Sequence, residues 1–402
     1  MLTLEELKEI VLKNQEDLQR DLGITRDFQV KQINKFATII SGVRRAGKST
    51  LIRQHLQNKK PVYYIYFEDV TLANFKIEEF ERLDRVLKDT LGDKGIYFFD
   101  EIQNIKGWEI FIRQLVDRGE TVFITGSNAS MLSRELGTRL TGRNLRYELY
   151  PFSYKEYLTL HKVKPSEKTF SKYLVEGGFP EFLKSKDKDI LRNLFQDILY
   201  RDILVRNDIR NESALKSLLA YISSNIGKEV SFNKLKTLIN VGSVNTVSQF
   251  IEAFESAYLF FIVKKYDDSV KKQLINPKKI YCIDNALIQI NSFSTSKDLG
   301  RFLENLVFIE LKRRANEIFY YKDNGECDFV VKIDNTIKQA IQVCYEFNTE
   351  NKEREIRGLI QAIKRFSLPE GLILTNNQED EFIVEGKKII LKPVWKWLIQ
   401  ES

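Results

Sequence analysis

Gly42-Val43-Arg44-Arg45-Ala46-Gly47-Lys48-Ser49 fits the phosphate-loop pattern G-x-x-x-x-G-K-[ST] at every position. Its flanks supply the context that the pattern needs. Upstream, Phe36-Ala37-Thr38-Ile39-Ile40 is a short, apolar, β-branched run that predicts a buried strand; downstream, Thr50 to Leu56 predicts a helix with Leu51, Ile52 and Leu56 as its apolar residues. A strand that turns through glycines into a helix aims backbone amides and the helix's partial positive charge at one point, which suits phosphate oxygens. The predicted ligand is therefore a nucleoside triphosphate with Mg2+. Gly42, Val43, Arg44, Arg45, Ala46, Gly47, Lys48, Ser49 and Thr50 are the candidate nucleotide contacts, with Lys48 reaching the β- and γ-phosphates and Ser49 ligating the metal.

Farther along, Gly95-Ile96-Tyr97-Phe98-Phe99 is an apolar run closed by Asp100 and Glu101, the pattern of a buried parallel strand ending at a ligand-facing sheet edge. Asp100 is the candidate second metal ligand, acting through water, and Glu101 the candidate to polarise an attacking water. A third run, Thr121 to Thr125, ends in Gly126-Ser127-Asn128, where Asn128 is the candidate to orient that water.

At 402 residues the chain exceeds what one hydrophobic core serves, so several domains are expected. Its 43% apolar and 12% aromatic content excludes disorder. No apolar run reaches the ~20 residues needed to span a bilayer, and no signal-peptide pattern opens the chain, so a cytoplasmic protein without membrane association is the expectation. Cys282, Cys327 and Cys344 are odd in number and widely spaced, which suggests neither a disulfide framework nor a zinc site. With only His55 and His161, histidine-based catalysis is nearly excluded. The net charge of +7 permits nucleic-acid binding without demanding it.

The predicted fold class is α/β. A helical lead over 1–35, with a helix from Leu4 to Leu22, precedes a P-loop core over 36–151 whose alternating strands and helices imply a parallel sheet covered on both faces. A helical lid or linker spans 152–212, broken by Gly177-Gly178-Phe179-Pro180. Over 213–290, three helices and two strand-like runs, Phe260 to Tyr266 and Lys279 to Ile283, predict a winged helix with Asp267 to Pro277 as the wing. A second, smaller α/β domain fills 291–402.

These residues resemble the AAA-type ATPases of archaea and bacteria that carry a C-terminal domain of unknown function with a restriction-endonuclease-like core. The resemblance rests on Ser41 to Thr50, Phe99-Asp100-Glu101-Ile102-Gln103, Ile124 to Asn128, Leu140-Thr141-Gly142-Arg143, Leu149 to Tyr157, Glu176-Gly177-Gly178-Phe179-Pro180, Leu303 to Leu311 and Glu326 to Val330. Nuclease folds of that type use a helix carboxylate, a strand Asp and a Glu-x-Lys on the next strand to hold Mg2+ and supply a cation. Glu304 and Asp328 fill the first two places. Gln342 and Cys344 stand where Glu and Lys belong, which predicts a degenerate, inactive site in which Glu304 and Asp328 either bind a metal weakly or only hydrogen-bond within the domain; Lys332 is the alternative source of the charge if cleavage occurs.

For the winged helix, Ser243, Asn245, Thr246, Ser248 and Gln249 could read DNA, and Lys264, Lys265, Lys271, Lys272, Lys278 and Lys279 outnumber Asp267 and Asp268 where a wing would touch phosphates. Arg143, with Arg139 as runner-up, is the candidate arginine finger; acting across subunits, it implies a homo-oligomer. The alternative for Arg143 is a surface pair with a carboxylate such as Glu148. Two functions follow: an ATP hydrolase whose turnover moves the C-terminal domains, most naturally on DNA, or a slow nucleotide switch or scaffold that recognises another protein.

Overall fold

Adjacent residues along the strands of the N-terminal half go to opposite faces and into two separate cores. Ile39, Ile65, Phe99 and Ile124 lie in one cluster, while their neighbours Ile40, Tyr64, Phe98 and Phe123 lie in the other. A strand covered on both faces must be apolar at every position, so these segments read as continuous runs with no alternation. The structure is a computed structural model that describes residues 2–18, 22–59, 61–129, 142–291, 298–314 and 317–400. It divides into two compact units, residues 1–150 with 256–258, and 151–255 with 259–402.

In the first unit, β1 (Ala37–Ser41), β2 (Val62–Tyr66), β3 (Ile96–Asp100), β4 (Val122–Gly126) and β5 (Asn144–Glu148) form one sheet in the order β2-β3-β4-β1-β5. Every pairing is parallel, which brings the C-terminal ends of β1, β3 and β4 to one edge. Helices α1 (Leu4–Leu18), α2 (Lys48–Leu56), α3 (Phe80–Leu91) and α4 (Trp108–Asp117) accompany the sheet. Leu51, Ile52 and Leu56 of α2 belong to one core, and Phe80, Leu83, Trp108 and Phe111 of α3 and α4 to the other. The N-terminal helix is part of this unit: Leu7, Ile10 and Val11 enter its core, and Asn14 Oδ1 accepts from the Tyr66 amide at 2.8 Å.

The second unit opens with helices Tyr154–His161, Glu167–Glu176, Pro180–Ser185 and Lys188–Asp197. Their starts are set locally: Ser153 with Glu156 and Ser166 with Thr169 form reciprocal caps, and Pro180 stands in the first turn of its helix. Helices Glu212–Ser224, Phe232–Leu238 and Val244–Ser256 follow. Nine strands then build one mixed sheet: β6 (Glu229–Val230), β7 (Phe260–Lys265), β8 (Lys278–Cys282), β9 (Glu317–Lys322), β10 (Glu326–Ile333), β11 (Thr336–Val343), β12 (Glu370–Thr375), β13 (Asp380–Val384) and β14 (Lys387–Pro393). The order is β13-β14-β12-β11-β10-β9-β7-β8-β6.

The sheet runs across the boundary expected at 290. The β7–β8 hairpin is antiparallel, and β7 also pairs in parallel with β9, Lys264 opposite Phe319, so the ribbon is an edge of the C-terminal sheet. The stretch expected as a wing holds a short helix, Val270–Ile275, capped by Ser269. Two of the six lysines counted there are engaged within the protein. Lys278 donates to the carbonyls of Leu274 and Asn276, and Lys279 is buried. The positive excess available to a phosphate backbone shrinks accordingly.

Candidate nucleotide site

β1 ends at Ser41, and the chain turns at Gly42, where a Cβ would overlap the Leu149 carbonyl oxygen. That close approach admits only glycine. The loop closes at Gly47, left-handed at φ 93°, which serves as the N-cap of α2. Arg26, buried behind the loop, donates to the Ala46 carbonyl at 2.6 Å and to the Tyr150 carbonyl at 2.9 Å. Arg44 forms a two-pronged pair with Glu68 at 3.0 and 2.8 Å, and Tyr66 donates to the same carboxylate at 2.8 Å. Tyr258, in the short segment that belongs to the first unit, donates to Ser41 Oγ at 2.7 Å.

The ends of β3 and β4 stand beside this loop. Ser49 Oγ donates to Asp100 Oδ1 at 2.9 Å, Thr125 Oγ1 donates to the same oxygen, and Tyr64 donates to Oδ2 at 3.1 Å. Lys48 Nζ lies 3.2 Å from Glu101 Oε1 and 3.2 Å from the Val43 carbonyl oxygen. Glu101 adopts a left-handed backbone, φ 54° and ψ 40°, a region costly for a side chain of its kind and frequent at functional sites. Its amide donates to Thr125 Oγ1 at 3.1 Å, and Oε2 accepts from Gln103 Nε2 at 2.5 Å and the Ser127 amide at 3.2 Å.

The two neighbouring carboxyls are driven apart electrostatically. Burial, followed by repulsion from Glu101, raises Asp100 above the usual carboxylate range. Burial acts on Glu101 too, but Lys48, Gln103 and Arg44 outweigh it and hold that group down to about 2. Glu101 is therefore ionised at neutral pH, while Asp100 relies on three hydroxyl donors.

Of the residues singled out in the sequence, Lys48, Ser49, Asp100 and Glu101 come together. Asn128 is buried immediately after Ser127, whose amide holds Glu101. Thr50 follows in the first turn of α2 and accepts from Arg53 at 3.4 Å. Arg143 lies elsewhere. Its carbonyl accepts from the Ala37 amide at the start of β1, its side chain pairs with Asp117 at 2.8 Å, and the strand separating it from the loop is roughly 13 Å long. It does not reach the phosphate loop of its own chain. Asp117 takes the place expected for Glu148, which accepts from Tyr150 at 2.8 Å. Arg139 lies outside the described residues. Arg26 and Tyr64 carried no motif signal, and Thr125 lay within the Ile124 to Asn128 motif without an assigned role, because what these residues do depends on contacts across 20 to 124 positions.

In the second unit, Glu304, Asp328 and Gln342 do converge. Cys344 is buried, donates to the Glu346 carbonyl at 3.0 Å and has its thiol pushed up to about 12 by burial. Lys332 pairs with Glu317 at 2.8 Å, four residues along β10 from Asp328.

Residues 34–158 match the family described as AAA domain, and residues 167–296 a domain of unknown function, DUF8612. Uncharacterized protein MJ1544 of Methanocaldococcus jannaschii is 36% identical over 97% of this chain and 94% of its own length. An uncharacterized protein of Haemophilus influenzae is 30% identical over 94% of this chain and 99% of its own. The chain belongs to their family. Residues 34–158 are thus similar to an AAA-type P-loop domain. Among solved structures, the Aeropyrum pernix ORC1 protein in complex with DNA is similar at TM-score 0.31 and 10% identity, covering 72% of this chain and 90% of that one. Cdc6p of Pyrobaculum aerophilum is similar at TM-score 0.25 and 12% identity, covering 76% and 93%. No helix among the described residues is long and apolar enough to cross a membrane.

Proposed function

We propose that the protein hydrolyses ATP at this site, slowly in isolation, and that its nucleotide state governs the C-terminal half. The observation that carries this reading is the meeting of Ser49 with Asp100 at 2.9 Å and Lys48 with Glu101 at 3.2 Å on one parallel-sheet edge. The hydroxyl and carboxylate of Ser49 and Asp100 are hard oxygen donors suited to Mg2+, which when bound would neutralise charge between the β- and γ-phosphates. Lys48 binds the phosphates as a point charge, and the loop amides orient them. As phosphate oxygens draw Lys48 away, the influence holding Glu101 down weakens, and its carboxylate accepts the proton of the attacking water. Asn128 orients that water.

Slow turnover is favoured by the grip on Glu101, which Lys48, Gln103 and the Ser127 amide hold together. A partner that loosens this grip would accelerate hydrolysis. Duplex DNA is the first candidate, through Asn245 and Gln249 on an exposed helix face and the outward Lys271 and Lys272. An arginine finger at Arg143 would have to serve a second copy of the chain.

Phosphate release from ATP tests the reading. Turnover that requires Mg2+ and stops with EDTA is expected, and turnover increased at least ~10-fold by duplex DNA would identify DNA as the partner. Unstimulated turnover would favour the switch or scaffold reading. Absence of any Mg2+-dependent phosphate release would overturn hydrolysis.

A further inference from the structure

The cation that the sequence pattern lacks at Cys344 enters the C-terminal pocket from a different strand. Lys279 on β8 has a side chain only 3% exposed, and its Nζ lies 3.1 Å from Glu304 Oε1, 2.8 Å from Glu326 Oε1 and 2.9 Å from Asp328 Oδ1. An ammonium has three donors, and here each carboxylate takes one. Tyr281 donates to the same Glu304 oxygen at 2.6 Å, while the second oxygens of the other two carboxylates are engaged, Asp328 Oδ2 by the Val343 amide at 3.0 Å and Glu326 Oε2 by Lys322 at 3.0 Å. Gln342 accepts from the Asp328 amide at 3.2 Å and donates to Glu355 at 2.6 Å, so it is committed to bracing its neighbours. A cavity of about 450 Å³ opens onto this group.

A restriction-endonuclease-like core would place a divalent metal among these carboxylates, and the residues present do not fit one. Mg2+ needs oxygen ligands at roughly 2.0–2.1 Å in octahedral array. The carboxylate oxygens are instead spaced around a nitrogen at charge-assisted hydrogen-bond distance. A dication entering among them would stand a few ångströms from a buried ammonium already committed to three carboxylates, and the two positive charges would repel across a poorly screened interior. Lys279 also lies over the Tyr320 ring, 5.7 Å from its centroid, which favours keeping the charge there.

We propose that Lys279 is the resident cation of this pocket, holding Glu304, Glu326 and Asp328 together in place of a divalent metal. The pocket is then an internal ion cluster that ties β8, β10 and the helix Leu299–Arg313 into one body, with no metal-bound water for cleavage. The inference is independent of the hydrolysis reading, since it concerns other residues and another ligand.

Mn2+ bound per chain, followed by electron paramagnetic resonance on nucleotide-free protein, tests it. Any Mn2+ at Ser49 and Asp100 is common to all variants and cancels in the comparison. Wild type, Asp328→Asn and Glu326→Gln should bind equal amounts of Mn2+, whereas Lys279→Met should gain one Mn2+ per chain and lose it again when combined with Asp328→Asn. Loss of a bound Mn2+ from wild type on Asp328→Asn or Glu326→Gln would overturn the proposal. So would a folded Lys279→Met protein that gains none. Should Lys279→Met fail to fold, the comparison of wild type with the two carboxylate variants still decides.

Discussion

At Lys48 one ammonium spans a loop carbonyl and the Glu101 carboxylate, each at 3.2 Å. Replacing it with alanine removes the charge aimed at phosphate and leaves two adjacent buried carboxyls without their nearest cation. A hydrogen bond to a charged group is worth roughly 1.5–3 kcal/mol, so Lys48→Ala should weaken ATP binding at least ~10-fold. It should also lower the melting temperature of the nucleotide-free protein, because Asp100 and Glu101 then face each other unneutralised. Titration with a fluorescent ATP analogue and a thermal melt read the two effects; unchanged affinity would remove Lys48 from the phosphate site. Ser49, Asp100 and Glu101 were legible from sequence because a phosphate loop and a strand-end acidic pair are local patterns. Lys279 was not: it sits in a lysine-rich stretch, and its burial depends on carboxylates 25 to 49 positions away.

Among the elements, the Glu176-Gly177-Gly178-Phe179-Pro180 turn is explained by a buried carboxyl. Asp284 accepts from the Gly178 amide at 2.7 Å and the Ala286 amide at 2.8 Å, and a Cβ on Gly177, left-handed at φ 67°, would overlap its Oδ1. Burial raises Asp284 to about 7, against the lowering effects of those two amides and of Arg313. Between pH ~4 and ~7 the folded chain keeps a proton that the unfolded chain has lost, so this group's contribution to stability falls as pH rises. The loss is on the order of 4 kcal/mol across that window. Asp284→Asn cannot titrate and gives up one acceptor, so its destabilisation relative to wild type should be larger at pH 5 than at pH 8. Urea melts at the two pH values provide the check; an equal difference at both would mean that Asp284 is ionised throughout. The sequence marks the turn through its glycines and proline, but nothing in it names the partner 106 positions on.

Across the whole molecule, the alternating strands and helices of the first unit were readable because each parallel strand is a continuous apolar run, as in Tyr97-Phe98-Phe99. The nine-stranded sheet was less so. Its strands could be found singly, yet the parallel pairing of β7 with β9 is an edge-to-edge contact between segments 55 positions apart, and no local residue preference encodes it. That pairing makes the ribbon expected of a separate winged helix part of the C-terminal sheet. The proposal for the edge of the first sheet is a division of labour in which Glu101 serves water and Lys48 serves phosphate. It is tested most directly by the nucleotide retained on Glu101→Gln after incubation with Mg2+ and ATP, separated by ion-exchange chromatography and compared with wild type. Removing the carboxylate charge leaves the phosphate contacts in place and takes away the proton acceptor, so Glu101→Gln should carry ATP where wild type carries ADP. ADP on both proteins would exclude Glu101 as the proton acceptor.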